Sequence, residues 1–326
     1  MLELGALLLL VGQAAGLAAQ PAELLRLEAS VDAMGSTYSV VLYGVGRARL
    51  ESAVDAAFDE VRRLDRMLSN YRQDSELSEV NRYAAERPVK VTPELFGLLS
   101  ACVEYSRRSD GAFDISVGPL MKVWGFYKGS GRLPGKAEVA RALKQVGYRK
   151  ILLDAETRTV RFAQAGVELD PGGIGKGYAV DRMVEVLKEN GITSALISAG
   201  GSSIYGLGAP GSQPQGWEAK IRHPRDARKT IEQLYLKNQS LSTSGSYEKF
   251  FVAEGKTYSH IMDPRTGFPA PGMWSVSVLA PKTLDSEAWT KPCFILGRAW
   301  AAQQTPANWR VFLCEDKTET ACAWLQ

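Results

Sequence analysis

The chain has 326 residues, 39 Lys and Arg against 36 Asp and Glu, a formal net charge of +3, 45% hydrophobic and 23% charged residues. This is the composition of a globular protein with ample chain for a large core; it excludes wholesale disorder and, lacking clustered basic excess, a nucleic-acid-binding face. Two histidines, His223 and His260, and four cysteines with no CxxC or HxxxH spacing argue against a His-rich or zinc centre and leave open an oxygen-ligand site for a hard cation.

In chain order, Ala6–Val11 is an apolar run followed by small residues through Ala18 and Ala19. It reads as a signal-peptide core, too short to span a membrane, with Glu3 in place of a basic start and no lipid-attachment Cys after it. Residues 1–19 are therefore expected to be a signal peptide. Residues 20–326 are expected to form one exported, periplasmic domain.

Leu50, Val54, Phe58, Val61, Leu64 and Leu68 recur at three and four, which predicts an amphipathic helix over 49–69. A Thr-Pro-Glu start predicts a second over 92–107, and a third is expected over 136–146. Residues 150–153 and 159–162 read as a hairpin, and 167–170 as a short strand entering a glycine cluster. A helix bearing Ala179, Met183, Val186 and Leu187 follows and stops at Asn190-Gly191, ahead of strands at 195–199 and 202–206. Residues 209–216 read as an exposed loop. With hairpins and helices mixed and no repeating βαβ unit, the class is α+β. Cys314 and Cys322 are close enough to close a terminal hairpin, but four cysteines allow three pairings; free buried thiols are an equally good reading of Cys102 and Cys293.

Thirty-one glycines, about 9.5% against roughly 7% on average, concentrate attention on Asp170-Pro171-Gly172-Gly173-Ile174-Gly175-Lys176-Gly177. Glycines let backbone amides approach an anion, a helix start adds its dipole, and Lys176 adds a full charge. Gly177 stands where a Walker A loop has Ser or Thr, so this is not that motif. The GxGxxG spacing at 206–211 fails because Pro210 and a polar loop leave no helix to receive a pyrophosphate. Ser242, Ser244 and His260 lack the GxSxG elbow of a serine hydrolase.

Several blocks occur in order: Met34-Gly35-Ser36-Thr37-Tyr38, Ser69-Asn70-Tyr71 with Asp74-Ser75-Glu76-Leu77, Gly111-Ala112-Phe113-Asp114, Asp170–Asp181, Ser242-Thr243-Ser244-Gly245 and His260–Gly267. Together, over roughly residues 30 to 300, the chain resembles the ApbE family of FAD:protein FMN transferases. The resemblance implies a single two-lobed, T-fold-like α+β domain. It would use FAD and Mg²⁺ to move FMN onto a Thr or Ser of a flavin-acceptor protein and release AMP.

By the same resemblance, Met34 and Tyr71 would line the flavin or adenine pocket, and Ala112, Phe113 and Asp114 would hold the cofactor. Asp170 and Lys176 would meet the nucleotide and diphosphate, Ile261 would contact FAD, and His260 beside it would orient the acceptor. Gly173 would offer its carbonyl to the metal. The family's Asp-Ala-x-x-Thr metal motif is here Glu287-Ala288-Trp289-Thr290-Lys291. Glu287 keeps an oxygen ligand, but an ammonium at Lys291 cannot ligate Mg²⁺. Either Lys291 replaces the metal's charge, or fewer ligands hold the metal, or the protein binds or hydrolyses FAD without transfer. A Glu287–Lys291 salt bridge of the favourable i, i+4 order is the competing structural role.

Overall fold

Period-two alternation of apolar and polar residues builds the frame. In the computed structural model, which describes residues 24–127, 129–317 and 321–325, eight strands form one antiparallel sheet whose spatial order follows the chain. They are β1 (Leu25–Ala33), β2 (Ser36–Gly44), β3 (Ser194–Ala199), β4 (Ser203–Leu207), β5 (Gln239–Gly245), β6 (Met273–Ala280), β7 (Arg310–Glu315) and β8 (Ala321–Trp324). On β3 the alternation is direct: Ala195, Ile197 and Ala199 are buried and their neighbours half-buried. The expected signal peptide lies outside the described residues. Among the described residues no helix is long and apolar enough to cross a membrane.

Everything else is inserted between neighbouring strands. The β2–β3 connection carries α1 (Arg47–Leu68), α2 (Glu76–Tyr83), α3 (Pro93–Arg108), α4 (Gly118–Val123), α5 (Lys136–Leu143) and α6 (Gly175–Glu189), and the β6–β7 connection carries α7 (Thr283–Gln304). Helices α1, α6 and α7 pack side by side and against the sheet. The hairpin Trp217–His223/Asp226–Leu236 covers the opposite face, where its Ala219, Ile221, Leu234 and Leu236 meet Leu241, Leu279 and Phe312.

The long helices and the hairpin Ile151–Asp154/Thr159–Phe162 fall where periodicity places them. Local chemistry starts two of the helices: Thr92 Oγ1 accepts from the Leu95 amide, with Pro93 at the first position of α3, and Ser75 Oγ accepts from the Ser78 amide at α2. The third predicted helix stops early, at Leu143.

Residues 167–170 are not the expected strand. Their backbone is extended, but its ladder is a single isolated bridge, Val117 to Glu168; otherwise it bonds to the Ile115 carbonyl and to a side chain. The Asn81 amide donates to the Leu169 carbonyl at 3.0 Å and accepts from its N–H at 2.7 Å, standing in for a neighbouring strand. Cys314 and Cys322 oppose each other across β7–β8 and form a disulfide, while Cys102 and Cys293 are buried thiols.

Candidate active site

The segment Asp170–Gly177 runs from this extended stretch through a one-turn 3₁₀ helix, Pro171–Gly173, into α6. Alternate glycines are each approached by a different part of the fold. A Cβ on Gly173 would lie 3.4 Å from Lys291 Cε and 3.7 Å from the Phe113 ring. On Gly175 it would lie 3.3 Å from Met34 Cε, and on Gly177 2.8 Å from Glu287 Oε2 and still closer to the Thr283 carbonyl. The turn thus brings together Met34, Phe113, Glu287 and Lys291, which are scattered over more than 250 positions.

Two helices hold that arrangement by capping each other. Glu287 of α7 accepts from the Gly177 amide in the first turn of α6. Asp181 of α6 accepts from the Thr283 and Leu284 amides at 2.7 and 2.8 Å, and so caps α7, whose own N-cap residue, Lys282, offers no side-chain acceptor. Carboxylates at helix N-termini satisfy orphan donors and face the positive dipole end. Replacing Asp181 with alanine strands two amides and is expected to cost about 2 to 3 kcal/mol, measurable by urea unfolding, with Asp181→Asn intermediate.

The Ser242–Gly245 block proves to be a strand-to-helix zipper. On one face of β5, Ser240 and Ser242 bond Ser286 at 2.9 and 2.8 Å, and Ser244 bonds Thr290 at 2.7 Å. Thr290, fully buried, also donates to the Glu287 carbonyl at 2.7 Å, so its hydroxyl faces the sheet while Lys291 faces the glycine turn.

Lys291 Nζ donates to the Glu287 carbonyl at 3.0 Å and stands 4.0 Å from Glu287 Oε1. Burial pulls Lys291 down to about 8, with Glu287 opposing and nearby Lys176 assisting. Lys176 donates to Ser202 Oγ. His260 follows the hairpin Phe250–Ala253/Lys256–Ser259 and is anchored to the residue that precedes it. The Lys249 carbonyl accepts from the His260 backbone N–H at 3.0 Å and from Nδ1 at 3.1 Å. A carbonyl can only accept, so Nδ1 carries the proton and Nε2 keeps its lone pair. Burial pushes His260 down to about 4, with the charges of Lys249, Lys291 and Lys176 all reaching it. The imidazole is therefore neutral at pH 7, bonded to the Lys249 carbonyl and within electrostatic reach of three lysines.

Of the other expected site residues, Met34 and Phe113 lie against the turn and Asp170 opens it, while the stacking of Tyr71 and the hydrogen bonds of Asp114 are made elsewhere. Met34 has a left-handed backbone, its amide donates to Asp65, and its sulfur accepts from buried Tyr38. Asp170 accepts from the Gly172 amide at 2.8 Å, and burial raises its carboxyl against bonds from Gly172 and the Asn70 side chain. Tyr71 is half exposed and stacks on Tyr127 at 4.8 Å. Ala112, Phe113 and Ile261 are buried; Asp114 accepts from the Ser116 and Tyr148 amides and the Ser116 hydroxyl, tying the chain together beneath Phe113. Ser202 and Lys249 join these contacts with no signal in the ordered blocks, while Asn70 and Asp181 lie inside those blocks but show their bonding partners only in the fold.

The ApbE family pattern matches residues 34–310, nearly the whole described chain. The chain belongs to the ApbE family. It is 34% identical over 268 residues to a Klebsiella pneumoniae FAD:protein FMN transferase, covering 81% of this chain and 80% of the relative. It is 32% identical over 293 residues to the Treponema pallidum enzyme of the same name, covering 85% and 81%. Among solved structures, the ApbE protein of Thermotoga maritima superposes with a TM-score of 0.83 at 28% identity, over 92% of this chain and 96% of that one. The apo flavinyl transferase ApbE of Pseudomonas stutzeri gives 0.82 at 27%, over 93% and 95%. The α+β class with one ApbE-type domain follows from these superpositions.

This ApbE-family site does not fit the Mg²⁺ that the resemblance implies. Mg²⁺ demands near-octahedral oxygen ligation and tolerates no ammonium among its ligands. One Glu287 oxygen is taken by the Gly177 amide and the other faces Lys291. The Lys291 side chain lies against Gly173, whose carbonyl would be a further ligand. Among the described residues no group of three or more His, Cys, Asp or Glu stands close enough to hold a metal ion.

Proposed function

We infer that this ApbE-family protein is an FAD:protein FMN transferase. In the proposed reaction the acceptor Thr or Ser oxygen attacks the FMN-side phosphorus of FAD. A new P–O bond forms to the acceptor, the diphosphate P–O bond breaks, and AMP leaves with the bridging oxygen. The acceptor's proton passes to His260 Nε2 and then to water. Lys176 and Lys291 neutralise charge on the phosphoryl oxygens. Met34, Tyr71, Phe113 and Ile261 supply apolar and aromatic surface to the ring systems, with Ala112, Asp114 and Asp170 shaping the same pocket.

The observation that carries this reading is Lys291 lying against the glycine turn that itself carries Lys176, with a neutral His260 within electrostatic reach of both lysines. Incubation of the purified protein with FAD and a flavin-acceptor domain is expected to give acceptor carrying covalent FMN by mass spectrometry, with stoichiometric AMP. Release of free FMN and AMP without labelled acceptor would instead mark an FAD hydrolase, and tight FAD binding without AMP a carrier. Export to the periplasm belongs to the same reading; it is supported by the apolar N-terminal run and by the Cys314–Cys322 disulfide, a bond that persists in oxidising compartments.

A further inference from the structure

The misfit with Mg²⁺ has a positive counterpart in Lys291. Its side chain leaves α7 one helical turn after Glu287 and crosses to the glycine turn, where its Cε lies 3.4 Å from the Cβ position of Gly173. Its ammonium is 3.0 Å from the Glu287 carbonyl and 4.0 Å from the Glu287 carboxylate. A divalent ion shared by Gly173 and Glu287 would have to occupy the space of this ammonium and withstand its repulsion. Pro292 and the Ser244–Thr290 bond set the helix at this point, with Thr290 turned toward the sheet and Lys291 toward the turn. The ammonium retains donors beyond the one given to the Glu287 carbonyl, and lysine binds phosphate as a point charge.

Resting on the transferase reading, we propose that the Lys291 ammonium is this chain's own cation for the FAD diphosphate, so that FAD is bound without a divalent metal. Titration of the full chain with FAD, followed by flavin fluorescence in excess EDTA and again in MgCl₂, tests it. The wild type is expected to bind FAD equally in both conditions. Lys291→Thr, which creates an oxygen ligand in place of the charge, is expected to bind about 10- to 100-fold more weakly in EDTA and to recover with MgCl₂. Lys291→Met should lose the same affinity without that recovery. A gain of about tenfold or more for the wild type on adding MgCl₂ overturns the proposal and leaves the transferase reading standing. So does undiminished binding of Lys291→Thr in EDTA. Absence of FAD binding by the wild type in EDTA and in MgCl₂ alike overturns both. Should the variants fail to fold, as judged by circular dichroism, the wild-type comparison decides alone.

Discussion

Gly177→Ala is expected to destabilise the protein by about 3 kcal/mol and to abolish FAD binding by the fraction that remains folded. The added methyl would overlap the Thr283 carbonyl and lie 2.8 Å from Glu287 Oε2. Backbone cannot step aside as a side-chain tip can, so α7 would have to move away from α6. That motion breaks the Glu287 cap on α6 and the Asp181 cap on α7 together, and it carries Lys291 off the glycine turn. Gly173→Ala provides the contrast. Its methyl meets only the flexible end of Lys291 and an aromatic edge at ordinary contact distance, so the loss is expected to stay below about 1 kcal/mol. Equilibrium urea unfolding of both variants, with FAD titration alongside, measures the difference.

His260→Ala is expected to lower the rate of FMN transfer by about 10²- to 10⁴-fold while leaving unfolding free energy and FAD affinity little changed. The histidine is half-buried, and its ring is bonded to the Lys249 carbonyl, so its loss opens no large cavity. What is lost is the unprotonated Nε2. Partial burial, opposed by the Lys249 carbonyl bond and assisted by the charges of Lys249, Lys291 and Lys176, lowers His260 from 6.5 to about 4, so the unprotonated form is lost as the pH falls through about 4. The acid limb of kcat/KM, which reports the free enzyme, is expected there rather than near 6.5, and it should vanish in His260→Ala. An acid limb near 6.5 in the wild type would remove His260 from the role of base.

Much of this protein is legible along the chain because its signals are local. The helix over α1 is written in apolar spacing, α3 in its Thr-Pro-Glu start, and the glycine turn in composition. The ordered blocks pointed to the family, and the substitution at Lys291 was visible against the family's motif before any geometry. The short strand expected at 167–170 failed for a physical reason: extended backbone pairs with whatever presents a donor and an acceptor, and here that is the Asn81 side chain. The Ser242–Ser244 pair, suggestive of nucleophiles in sequence, serves packing because α7 presents Ser286 and Thr290 opposite it.

The sequence by itself determined the α+β class, the principal helices, the position of the glycine turn and the presence of a lysine where an oxygen ligand was expected. Each depends on neighbours within a few residues, where spacing and conformational preference act directly. The tertiary structure alone decided what Glu287, Asp181 and Lys291 do. Glu287 caps a helix that begins more than 100 residues earlier, Asp181 returns the cap, and Lys291 is laid across Gly173 by the packing of α7 on α6 and the sheet. Charge acts over a few ångströms and is indifferent to sequence separation, so only the folded chain shows which carboxylate is already satisfied and which cation lies against the glycine turn.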